Sequence, residues 1–150
     1  MSEPLGVPSA PKGVDISRAD LVFYNVDHSG PSFEARIFFN NESVTHRTPL
    51  TPDEGYAGSF HVFGHGGCFG DEGHCQVGSE TRDQFDMRPP HPLIGQTKTV
   101  IVTEAVRRLA DPRVVISVVP VTPGSRGAVA VDALSFERLR LLIYESSFES

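Results

Sequence analysis

Phe33-Glu34-Ala35-Arg36-Ile37-Phe38-Phe39 carries Phe33, Ala35, Ile37 and Phe39 on one parity and Glu34 and Arg36 on the other. Successive side chains of an extended chain point to opposite faces, so this period of two predicts a half-buried strand. Upstream, Leu21 to Val26 is a short apolar run bounded by Asp20 and by His28-Ser29-Gly30-Pro31, a strand followed by a turn. Downstream, polar Asn40 to Tyr56 predicts a loop, Ala57 to Phe63 a third strand and Thr97 to Val102 another. Thr103 is placed to cap a short helix with Glu104 in its first turn. Ala105, Val106 and Leu109 form its apolar stripe, and it ends before Pro112. Val114 to Val121 is β-branched and nearly continuous, the pattern of a central strand covered on both faces. Val129 to Tyr144 predicts one or two closing strands, with Asp132 near the break.

Several short strands and one helical turn predict an all-β fold, an antiparallel, jelly-roll-like β-sandwich, rather than an α/β sheet. The 150 residues suit a single domain over residues 15–150. Met1 to Val14, with Pro4, Pro8 and Pro11, reads as an extended lead-in. Net charge is −6, and the basic residues are scattered apart from Arg107–Arg108 and Arg138–Arg140. That distribution argues against nucleic acid and against an anionic membrane surface as partners. No apolar run approaches the roughly 20 residues of a membrane span. Met1 to Val14 has no basic n-region or apolar h-region, which predicts a cytoplasmic location; secretion is the alternative if the chain is part of a longer one. Only then would the glycosylation sequon Asn41-Glu42-Ser43 matter.

Gly64 to His91 is a predicted loop far longer than the roughly 12–15 residues beyond which structureless loops are usually functional. Its start holds His61-Val62-Phe63-Gly64-His65-Gly66-Gly67-Cys68, and His74-Cys75 follow. Imidazole and thiolate suit copper and zinc, so His61, His65, Cys68, His74 and Cys75 are the candidate metal ligands. A strand over Ala57 to Phe63 puts His61 on the face of Ser59 and Phe63, with His65 just beyond the strand end. Gly64, Gly66 and Gly67 permit the backbone to bend back toward His61. The spacing fits no zinc-finger signature. The alternative is a Cys68–Cys75 disulfide closing a short loop, with solvated histidines around it. Asp71 and Glu72 are candidate acceptors for a ligating His. His28 could approach the same end of the sandwich, although a solvent-facing turn His is the simpler reading; His46 and His91 read as exposed. No Ser/His/Asp set, phosphate loop or dinucleotide fingerprint appears.

Several segments, in order, resemble the C-terminal β-sandwich of tyrosinases, polyphenol oxidases and molluscan haemocyanins, the type 3 copper proteins. Phe33 to Asn40 resembles the strand in which plant polyphenol oxidases carry Lys-Phe-Asp-Val. Tyr56-Ala57-Gly58-Ser59-Phe60-His61-Val62 is similar to the family's Ala-Gly-(Ser/Thr)-Phe strand, Thr97 to Leu109 to its strand and short helix, and Val114 to Pro120 to its valine-rich strand before a Pro. The resemblance spans roughly Leu21 to Leu142. It departs at the extra His and Cys between His61 and Cys75. With six His and no four-helix pattern, the family's dicopper catalytic domain is missing, and its oxygen chemistry does not carry over. What the resemblance implies is copper as the leading metal, with zinc following from ligand type alone. It also implies an accessory role, shielding or gating the copper site of a tyrosinase-like catalytic partner.

Three functions follow. The first is a metal-binding sandwich that handles or shields copper. The second is a stand-alone mononuclear copper oxidoreductase acting on phenol-like small molecules, with Phe60, Phe63 and Phe69 as an aromatic wall. The third is a non-catalytic interaction domain whose two Cys form a structural disulfide.

Overall fold

The computed structural model describes residues 4–6, 15–65, 85, 94–111, 113–122 and 133–146. These form seven strands in two antiparallel sheets. Pro4–Gly6 (β1), Arg113–Val121 (β6), Phe33–Phe39 (β3) and Tyr56–Val62 (β4) make one sheet in the order β1-β6-β3-β4. Gln96–Ile101 (β5), Asp15–Val26 (β2) and Arg138–Ser146 (β7) make the other, in the order β5-β2-β7. A short helix, Thr103–Arg107 (α1), follows β5, and a single 3-10 turn covers Pro52–Glu54.

The core lies between the sheets. Phe33, Ala35, Ile37 and Phe39 of β3, Phe60 and Val62 of β4 and Val114 and Ile116 of β6 meet Ala19, Leu21 and Phe23 of β2 and Val100 of β5. The rings of Phe23 and Phe60, 4.8 Å apart, join one sheet to the other, and Phe136 packs edge-on against Phe23. The alternation read from β3 is thus the physical division between core and outer face. On the outer face, Arg36 holds Glu34 at 2.9 Å and donates to the carbonyl of His46. Phe38 lies on the outer parity and is nevertheless fully buried, its ring 5.7 Å from that of Tyr56. The 40–55 connection reaches the same face through the His46 carbonyl, which accepts from Arg36. Gly55 anchors it in a left-handed conformation (φ 81), with its carbonyl accepting from Phe39 N–H. A Cβ there would overlap the Phe39 carbonyl.

Three boundaries differ from expectation for identifiable reasons. β2 begins at Asp15, well before its apolar run, because β7 pairs along its polar half. There Asp20, buried, is neutralised by Arg18 at 2.8 Å. Pro4–Gly6, expected as part of an extended lead-in, pairs with β6 and widens its sheet. Thr103 does not cap α1: the N-cap is Val102, and the Thr103 hydroxyl accepts the main-chain N–H of Ala19 instead, tying the helix to β2. Ala105 and Val106 still face the core as expected.

Candidate functional site

The histidine-bearing end of the molecule is built on the turn after β2. Asn25 takes a positive φ of 53, a conformation Asn tolerates well, and β2 pairs irregularly with β5 between Phe23 and Val26. The Asn25 side-chain amide donates to Glu137. Asp27 then closes an Asx turn: its carboxylate accepts from the Ser29 N–H at 2.9 Å and from the Ser29 hydroxyl at 3.1 Å. These bonds, with the nearby His28 as a smaller contribution, hold the Asp27 carboxyl below its ordinary range. A lowered carboxylate contributes stability that is present above its unfolded-state pKa and lost as the pH falls through the folded-state value. Asp27→Ala should therefore lower the urea midpoint at pH 7. The gap between variant and parent should begin to shrink as the pH drops below about 4; a gap that stays constant down to pH 2 would refute the charged-turn account.

His28 is buried, not the solvent-facing turn residue expected from its neighbours. Its Nε2 lies 2.9 Å from the Ile94 carbonyl oxygen, and its Nδ1 lies 3.5 Å from the Gln96 side-chain amide nitrogen. A carbonyl can only accept, so the network assigns the proton to Nε2 and leaves Nδ1 to accept from Gln96.

The end of β4 is pinned onto this turn. Gly64 N–H donates to the Ser32 hydroxyl at 3.0 Å, and His65 N–H donates to the His28 carbonyl at 2.8 Å. The His65 ring repeats the contact, with Nδ1 at 3.4 Å from the same carbonyl oxygen. That oxygen again requires Nδ1 to carry the proton. The Nε2 lone pair of His65 is then directed to the far side of the ring, the arrangement by which backbone carbonyls commonly orient a ligating imidazole. The two imidazole rings sit 4.9 Å apart, edge to face. Gly64 has no room for a side chain, since a Cβ would overlap the Gly30 carbonyl oxygen and the carbonyl of Pro31.

His61 stands on the outer face of β4, exposed, opposite Glu34 of β3. Phe63 continues that face and is 78 % exposed, whereas Phe60, offered with it as an aromatic wall, is buried in the core. Ile94 is 76 % exposed beside the His28 contact. Among the described residues no group of three His, Cys, Asp or Glu side chains converges as a metal set. Cys68, His74 and Cys75, with Phe69, Asp71, Glu72 and His91, lie outside the described residues. His46, half-buried, contributes its carbonyl to Arg36. Sequence reasoning missed Gln96 altogether and undervalued His28. The available signal was the Asp27-His28-Ser29 turn directly after a buried strand end.

A shallow groove of about 510 Å³ opens at the opposite end of the sheets, lined by Ser17, Tyr56, Ile101, Thr103, Arg107 and Arg108 among others. Arg107 there is held by the Ile16 carbonyl and by Glu104. Among the described residues that line it there is no His or Cys. Among the described residues no helix is long and apolar enough to cross a membrane. No protein family, curated protein or solved structure matches the chain.

Proposed function

We propose that the chain is a metal-binding all-β domain whose ligands come from His61, His65, Cys68, His74 and Cys75, with copper as the preferred ion and zinc as its competitor. The observation that carries the reading is the double hold of the His28 carbonyl on His65. It commits Nδ1 and leaves Nε2 as a ligand atom immediately before Gly66-Gly67-Cys68. Thiolate and imidazole together form a soft donor set that favours copper(I) and zinc over hard cations. The physiological role that fits is copper handling or shielding for a tyrosinase-like catalytic partner, the accessory task of the domains that this chain resembles.

The test is metal content and affinity. Protein purified under reducing conditions and offered copper or zinc should retain about one ion per chain. His65→Ala and Cys68→Ser should each weaken retention by about tenfold or more, since losing a ligand costs at least what losing a ligand's supporting partner does. A chain that stays metal-free with both ions defeats the proposal. So does a Cys68–Cys75 disulfide that survives in the purified protein without change on His65→Ala, which identifies a structural staple instead. Turnover of a catechol by the copper-loaded protein would extend the role from handling to oxidation.

A further inference from the structure

The edge of β7 away from β2, unpaired among the described residues, is complementary to itself, and we infer that it pairs two copies of this chain into a symmetric dimer, joining two three-stranded sheets into one of six. β7 is nine residues long and ends its sheet: among the described residues no strand pairs with it on the side away from β2. The direction of its backbone groups follows from β2. Ala19 turns its N–H to the Thr103 hydroxyl and its carbonyl to Val102 N–H, both on the β5 side. Backbone groups alternate along a strand, so Arg18, Asp20, Val22 and Tyr24 turn theirs toward β7. Their register partners are Tyr144, Leu142, Arg140 and Arg138. Leu139, Leu141, Ile143 and Glu145 consequently present N–H and C=O at the open edge. Such a row is a template for another strand.

A two-fold axis perpendicular to the sheet must relate residues of the same parity. Maximal overlap of Arg138–Ser146 with its own copy centres that axis on Leu142. In this register Leu141 hydrogen-bonds across to Ile143 and Leu139 to Glu145, while Leu142 meets its own copy at a non-hydrogen-bonded position. Arg140 faces Tyr144, and Arg138 faces Ser146. No like charges oppose one another. The Arg–Tyr pairing repeats chemistry that this sheet already uses: Arg138 lies 4.5 Å over the ring of Tyr24, its register partner, and Arg18 is opposite Tyr144. Leu139, Leu141 and Ile143 pack only partly against the core, and Tyr144 is 47 % exposed. Pairing would cover both sets, the apolar residues on the inner face and the Arg–Tyr pairs on the outer one.

Sedimentation equilibrium on the full chain at 10–500 µM (roughly the range that resolves micromolar dimers) should show a dimer. Tyr144→Lys, which places Lys opposite Arg140 twice per dimer, should raise the dissociation constant about tenfold or more, and adding Arg140→Glu should restore association. Independently, Leu142→Cys should form an intermolecular 142–142 disulfide on mild oxidation, identified by peptide mass mapping. Opposed Cα atoms at a non-hydrogen-bonded antiparallel position lie about 4.5 Å apart, within disulfide reach. A chain that is monomeric throughout, or a dimer indifferent to Tyr144→Lys and without the 142–142 link, overturns the inference. The cross-link decides the matter if Tyr144→Lys fails to fold.

Discussion

Phe23→Ala should destabilise the domain by about 3–5 kcal/mol, the range for removing a large aromatic side chain from a packed core. Phe23 has no exposed surface, and its ring contacts Phe60 at 4.8 Å and Phe136 at 5.2 Å. It is therefore the side chain through which β2 of one sheet grips β4 of the other and the segment leading into β7. Alanine would forfeit its buried apolar area and leave a cavity that rigid strands on both sides cannot collapse into. Against a total stability of about 5–15 kcal/mol, such a loss takes a large share. Urea titration should show a lower midpoint with an unchanged slope. A midpoint within experimental error of the parent would mean that the two sheets are not held together through this ring.

Gly64→Ala should cost about 2–4 kcal/mol, combining the overpacking penalty with one or two displaced hydrogen bonds. The new methyl group would meet main-chain atoms of Gly30 and Pro31, which cannot rotate away as a side chain could. Relief requires the end of β4 to lift from the turn. That movement breaks the Gly64–Ser32 and His65–His28 bonds together. The substitution should thus weaken binding at the proposed metal site along with stability, although Gly64 itself offers no ligand atom. Gly30→Ala is the matched control, because a Cβ at Gly30 meets nothing nearby. Equal effects of the two substitutions on the denaturation midpoint would show that close backbone approach at Gly64 is unimportant.

The strands were readable because their signal is local. The alternation of Phe33–Phe39 bounds that strand to the residue, and Val114 to Val121, expected as a central strand, lies as β6 between β1 and β3 and begins one residue earlier, at Arg113. β4 and β5 each shifted by one residue at their ends, where alternation no longer has neighbours to test it. The polar start of β2 was not readable, since Asp15 to Asp20 becomes strand through pairing with residues more than a hundred positions away. The burial of Phe38 was likewise hidden: parity places it on the outer face, where the ring of Tyr56 packs against it after the 40–55 connection has returned the chain to β4.

The same division runs through the candidate site. Sequence alone determined that imidazoles and thiols crowd into the stretch after a strand end, and that the chain is all-β, because ligand type and period-two alternation are properties of neighbouring residues. Tertiary structure alone decided which histidine is buried and which is presented. His28 is enclosed by Ile94, Gln96 and His65, and His65 is oriented by the carbonyl of His28, contacts between residues far apart in the chain. A polar side chain on its own favours water, since burial without a hydrogen-bond partner costs free energy. Its burial depends on whether distant strands bring a partner for each of its hydrogen-bonding atoms, and that is a property of the packed sheets.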